Sequence, residues 1–484
     1  MHPDRRILVL GGGPAGVAAA RTAARMGAQA ILIDSGRLGG VSTNSGALPA
    51  RVLAHAARLK RDSGQLGVYG LRATEAGLDW PSALQRLSNV VEALHARKEI
   101  AEEARKLGVE VHENVGKTRF VSPTAVAFAN GMTVEGDAAI VCVGGHARMP
   151  PFPGTELAIT PNDIWRLKAL PRSIAIVGTG HTGCQCASIL THFGTDVHML
   201  DRKSRIMPLE DELVSTVMAK QFAAHGIRIH SSIDSIDGLS RTAAGGTVLR
   251  YTTAGESRSL ETDAVLLCVG WIGNTDGIGL EALGVETARS YITVDKYLRT
   301  NVPDLYAAGD VTGQVMLVSG ATHEGHVAAV NAVTDADTKK VAHELVPTGS
   351  FTDPEYGAIG MREQQCRDAG IDYETSVVGC DELTRAIIDD RTAGFCKLIA
   401  DRRTHKFLGA HIVGERAVET VQLMAAVIAG GLTVEQAADL ELAFPTYSAI
   451  ILMAARDLKY KLEPAYAELY QSGMAGSPAS KALS

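Results

Sequence analysis

A chain of 484 residues is longer than one hydrophobic core serves, and roughly two to four domains are expected. Its apolar fraction of 46%, charged fraction of 21% and net charge of −7 describe an ordinary globular protein. No basic run points to nucleic acid, and no apolar stretch approaches the roughly 20 residues needed to span a bilayer. The start leads straight into an apolar strand with no leader pattern, so a cytoplasmic protein is expected. Seven scattered cysteines, an odd number, agree with a reducing compartment. Cys184 and Cys186 are the only close pair, and positions two apart on a helix do not face each other.

In chain order, Ile7-Leu8-Val9-Leu10 predicts a strand, Gly11 to Gly16 a tight turn, and the alanine-rich run to Arg25 a helix. A second strand, Ala30 to Ile33, ends at Asp34, completing a βαβ unit of the expected length. Helical stretches follow at about 47–59 and 80–107, then strands near 109–113 and 117–121 and an apolar strand at 138–143. Pro150 to Gly154 can continue neither regular structure and reads as a linker. The βαβ pattern then repeats: Ile174 to Val177, Gly178-Thr179-Gly180-His181-Thr182-Gly183, a helix to about 193, and Val197 to Leu200 ending at Asp201. A hairpin-like stretch at 247–260 precedes the apolar run 264–269 and Gly270. Past residue 347 the character changes to α+β, with strands around 395–412 and helices near 416–430 and 434–440. From about 466 the chain is rich in Ser, Gly and Ala and is expected to fray.

Each glycine turn carries its own chemistry. The first glycine allows the tight turn, the second lets backbone approach a pyrophosphate, and the third lets helix and strand pack closely. The helix that follows aims unpaired N–H groups at the anion. Asp34 and Asp201 stand where an adenosine ribose would donate hydrogen bonds to them. A carboxylate at 201 repels a 2′-phosphate and favours NADH, although Arg202 and Lys203 could turn toward such a phosphate.

On these two turns, and on Thr300 to Asp310 (TNVPDLYAAGD), the chain resembles the flavoprotein pyridine nucleotide–disulfide oxidoreductases from residue 5 to about 460. The resemblance implies an α/β fold of two Rossmann-like dinucleotide-binding domains, for FAD and for NAD(P), followed by a C-terminal α+β dimerisation domain. The expected boundaries are 1–155 and 281–347 for the FAD domain, 156–280 for the NAD(P) domain, 348–465 for the interface domain and 466–484 for a flexible tail. A homodimer is implied. FAD would be bound by Gly11, Gly13, Pro14, Ala15, Gly16, Asp34, Ser35, Gly40, Val41, Ser42, Arg51, Gly144, Gly309 and Asp310, the last through the ribityl chain. The nicotinamide nucleotide would be bound by Gly178, Gly180, Gly183, Asp201, Arg202 and Gly270.

Three departures from the family pattern bear on function. Ser42 and Ala47 stand where the family has its two redox cysteines, so dithiol chemistry is not expected there. Phe444 and Ala449 replace the His–Glu pair that serves those thiols, and Phe444 also suits packing at a dimer interface. Arg51 and Gln185 stand where the family pairs Lys and Glu beside the flavin N5, leaving a fixed positive charge that would favour anionic reduced flavin. His181 falls where some members have a tyrosine gating the nicotinamide, as gate or substrate contact.

The expected function is FAD-dependent oxidation of NAD(P)H, NADH preferred, with direct transfer to a small non-thiol acceptor. That acceptor could be a quinone, an organic metabolite or a second nicotinamide. Soluble transhydrogenation, FAD-dependent oxidation of a small metabolite, and non-catalytic redox sensing are the alternatives. A new thiol at Cys184 or Cys186 is a minor one.

Overall fold

The computed structural model describes residues 4–72, 76–98 and 100–463; the tail expected from 466 lies outside them. A five-stranded parallel sheet opens the fold, in the order Leu305–Ala307, Ala138–Val141, Arg6–Leu10, Gln29–Ile33, Glu110–His112. Residues 7–10, 30–33 and 138–141 of its strands are apolar and buried because helices and a second layer cover both faces. Leu305–Ala307 returns to this sheet from beyond the second nucleotide unit and pairs with Ala138–Val141.

Helix Pro14–Arg25 presents Ala15, Ala19, Ala20 and Ala23 to helix Val318–Thr334, which answers with Ala328, Ala329 and Ala332. Small side chains bring the two backbones together. A Cβ at Gly325 would lie 2.0 Å from the Ala15 carbonyl oxygen, so only glycine fits.

The second unit repeats the plan in a four-stranded parallel sheet, ordered Arg228–His230, Asp196–Leu200, Ser173–Val177, Ala264–Leu267. The expected hairpin is Thr247–Thr253 with Glu256–Thr262, joined by Ile233–Arg241 in a separate antiparallel sheet. The C-terminal part is a five-stranded antiparallel sheet in the order Thr348–Ser350, Glu355–Gly360, Phe407–Gly414, Phe395–Asp401, Tyr373–Gly379. Helices Ala417–Ala429 and Ala449–Leu462 bury Val421, Met424, Ile450 and Leu458 with its strands in one core.

The stretch expected at 80–107 is helical over its described residues, Trp80–Lys98 and Ile100–Lys106. They serve different cores. Trp80, Leu87 and Val91 pack with Leu53 and Phe193, whereas Ala104 joins the core of the first parallel sheet. Among the described residues, no helix is long and apolar enough to cross a membrane.

Candidate active site

Both glycine turns have one geometry. Gly11 has φ +107° and Gly178 φ +101°, and a Cβ on either would sit 2.2 or 2.3 Å from the carbonyl oxygen of Cys142 or Cys268 on the neighbouring strand. Gly16 and Gly183 lie against the Gly11 and Gly178 carbonyls, where a Cβ would come within 1.7 and 1.9 Å. The middle glycines differ from these. A Cβ on Gly13 would meet only Gly40 Cα, at 3.8 Å, and one on Gly180 would meet nothing within 4 Å. Steric crowding therefore fixes the first and third positions, while the second faces open space where a pyrophosphate fits. Gly144 (φ +68°) and Gly270 (φ +116°), just past the ends of Ala138–Val141 and Ala264–Leu267, also face open space.

The two acids are held alike. Asp34 accepts from Gly12 N–H at 2.5 Å and Gly36 N–H at 2.7 Å. Asp201 accepts from Thr179 N–H and Oγ1–H, both at 2.7 Å, and from Lys203 N–H at 2.9 Å. Burial raises the Asp34 carboxyl above its ordinary range, against the pull of its two N–H donors. Ser35, Arg202 and Lys203 are exposed beside these acids.

Asp310 follows the returning strand and differs from both. Its carboxylate accepts no hydrogen bond among the described residues, and burial, with Glu324 adding repulsion, pushes its pKa up to about 6. A half-buried acceptor without a donor fits the hydroxyls of a ribityl chain. Together with the open cradle at Gly13 and Gly40, this suits FAD. Val41 accepts from Ser45 and Gly46 N–H to close the short helix Gly40–Asn44, and Ser42 Oγ–H donates to Gly39 O at 3.2 Å.

Arg51 and Gln185 meet where helices Ala47–Ser63 and His181–His192 pack. Arg51 Nη1–H donates to Gln185 Oε1 at 2.8 Å, and its guanidinium lies 3.4 Å over the Phe351 ring. Gln185 Oε1 also accepts from Phe351 N–H at 3.0 Å, so the amide is held from two sides. Burial pushes the Arg51 pKa down to about 10, with Glu355 pulling it up, and the group stays cationic at neutral pH. None of the described carboxylates forms an ion pair with it. Phe351 escaped the sequence reading because it is 300 residues away and carries no motif.

His181 is engaged too. Its Nε2 lies 2.7 Å from Glu210 Oε1, and its ring stacks on Tyr356 with centroids 5.8 Å apart. Tyr356 OH donates to Glu210 as well, and it lies 3.3 Å from His411 Nδ1. Burial pushes the Glu210 carboxyl up, but hydrogen bonds and charge from His181 and Tyr356 outweigh it, leaving the pKa below the ordinary value. Nothing in local sequence pattern singled out Glu210.

All seven cysteines are free. Burial pushes the thiols of Cys142, Cys184 and Cys396 well up and that of Cys380 to about 12, which suppresses thiolate. The stretch 39–51 contains none. Phe444 stands 77% exposed on the single chain, and Ala449 opens the last described helix.

The comparisons agree with this layout. Residues 5–325 match the family model described as pyridine nucleotide-disulphide oxidoreductase, and residues 346–455 match its dimerisation domain. Dihydrolipoyl dehydrogenase of Mycobacterium leprae is 32% identical, over 85% of this chain and 89% of its own length. Mercuric reductase of Lysinibacillus sphaericus is 29% identical, over 89% of this chain and 78% of its own. The crystal structure of LpdA from Mycobacterium tuberculosis superposes with a TM-score of 0.85 at 27% identity, covering 94% of this chain and 99% of that one. With two glycine turns of one geometry, a returning strand that delivers Asp310 and a matched dimerisation domain, the chain belongs to the pyridine nucleotide-disulphide oxidoreductase family of FAD-dependent enzymes.

Proposed function

We propose that this chain oxidises NADH and passes the electrons directly to a small non-thiol acceptor: a quinone, an organic metabolite or a second nicotinamide. Bound FAD would supply the redox chemistry, taking hydride from the nicotinamide and giving two electrons to the acceptor. With a quinone as acceptor, the balance is NADH, a proton and the quinone giving NAD+ and a quinol. The observation that carries the reading is the absence of cysteine from 39–51, with Ser42 Oγ tied to its own helix turn. Arg51, unpaired with any described carboxylate, would hold negative charge on the ring, and the Gln185–Phe351 contacts fix its position.

The experiment is anaerobic stopped flow on the FAD-loaded protein, first with NADH and then with acceptors. Rapid bleaching at 450 nm followed by reoxidation with a benzoquinone, and none with lipoamide or oxidised glutathione, is the expected pattern. Turnover of either disulfide at the quinone's rate would reject the reading. Reoxidation by NADP+ alone would narrow it to transhydrogenation, and bleaching slower than minutes would replace it with a non-catalytic role.

Nucleotide preference follows from Asp201. Its carboxylate at the ribose position opposes a phosphate by on the order of 1–2 kcal/mol. Asp201→Ala should cut the NADH over NADPH ratio of kcat/KM by about 10-fold. An unchanged ratio would leave Arg202 and Lys203 as the deciding groups.

A further inference from the structure

Away from the flavin site, His192, His225 and Asp353 bring three potential ligand atoms within 4.8 Å of one another. His192 is the last residue of helix His181–His192, and His225 caps the C-terminal end of helix Glu212–Ala224. Asp353 lies in the C-terminal part, just before strand Glu355–Gly360, and its N–H donates to Ser188 Oγ at 2.9 Å. The cluster therefore spans the seam between the second nucleotide unit and the dimerisation domain.

His192 Nε2 and Asp353 Oδ2 form an ion pair at 2.8 Å, and both atoms are buried with no well-aligned hydrogen bond to any other group. A cation seated between them would take the place of the imidazole proton and satisfy both. The other carboxylate oxygen, Oδ1, is taken by Arg61 Nη1 at 2.7 Å, which orients Oδ2 toward the histidines. The His225 ring packs 5.2 Å from that of His192. Two helix C-termini converge here, and the negative end of each helix dipole favours a cation.

Opposing charge is present but answered. Arg61 pairs with Asp62 at 2.9 Å and Glu415 at 3.0 Å, and Arg391 pairs with Asp62 at 2.7 Å. Arg58 joins the network through Glu415 at 3.8 Å and through Glu355, so four carboxylates, Asp62, Asp353, Glu355 and Glu415, face three arginines.

We infer that His192, His225 and Asp353 form a binding site for a divalent transition ion of the Zn2+ class, clasping the second nucleotide unit to the dimerisation domain. Two imidazoles and one carboxylate are a borderline donor set that suits such an ion and leaves a fourth position for water. The inference is independent of the electron acceptor. Binding releases the protons carried by the imidazoles and forms no covalent bond other than the coordinate ones.

The test uses untagged, FAD-loaded protein stripped with EDTA and titrated with ZnSO4 against a chromogenic chelator. About one ion per chain with micromolar or tighter affinity is expected, together with a rise in melting temperature. His225→Gln and His192→Gln, each checked for a native flavin spectrum, should each weaken binding by at least about 10-fold and abolish the thermal shift. If one variant fails to fold, the other decides. Co2+ added to the wild type should give absorption bands between about 550 and 650 nm that either variant loses. Wild-type protein that takes up no Zn2+ at millimolar concentration would overturn the site, as would folded variants that bind as tightly as the wild type.

Discussion

Arg51→Met is expected to lower the midpoint potential of the bound flavin by about 40 mV. The cation stays ionised despite burial, is fixed by Gln185 and Phe351, and forms no ion pair with a described carboxylate, Glu355 acting on it only at longer range. A unit charge beside a ring that gains negative charge on reduction is worth on the order of 2 kcal/mol at an effective dielectric of about 20. For a two-electron couple that energy corresponds to about 40 mV. Methionine keeps much of the volume and removes the charge. Arg51→Lys should recover most of the potential but lose rate, because lysine cannot reproduce the planar stack on Phe351. Spectroelectrochemistry at pH 7 checks both. An unchanged potential in Arg51→Met would mean that the guanidinium does not face the ring.

Asp310→Asn should act in opposite directions on the FAD-free and FAD-loaded protein. Burial raises the Asp310 pKa from 3.8 to about 6, so folding favours the protonated carboxyl. Above pH 6 the folded, FAD-free protein bears a desolvated charge that the unfolded chain does not. The penalty is fully present above pH 6, fades as pH falls, and is gone below about 3.8. Asparagine removes it, so the FAD-free variant should gain up to roughly 2–3 kcal/mol at pH 8 and almost nothing near pH 4. In the loaded protein the lost carboxylate weakens charge-assisted hydrogen bonds from the ribityl hydroxyls, and FAD affinity should fall by at least about 10-fold. Calorimetry at the two pH values and FAD titration at pH 8 measure the two effects. A stabilisation that is equal at both pH values would contradict the charge argument.

Both βαβ units were legible in the sequence because local rules dictate them. Gly11 and Gly178 need left-handed backbone, Gly16 and Gly183 need the absence of a Cβ, and Asp34 and Asp201 end the second strands. The hairpin after 247 and the helices near 416 and 434 were legible from alternation and helical periodicity. Helix Ala449–Leu462 and strand Tyr373–Gly379 went unassigned because tertiary packing decides their fate. Within the site, Arg51 and Gln185 were readable as a pair, and they do touch. Phe351 and Glu210 were not, since each reaches the site from a distant segment without a motif. The cluster of His192, His225 and Asp353 was equally hidden, as its members come from three separate parts of the chain.

Electron counting tests the sulfur-free route most directly. In anaerobic titration of the purified FAD enzyme with dithionite, full bleaching should take about one two-electron equivalent per flavin. A reducible cystine in electronic contact with the ring would raise that to about two equivalents. An endpoint near one supports direct transfer from flavin to acceptor; an endpoint near two contradicts it.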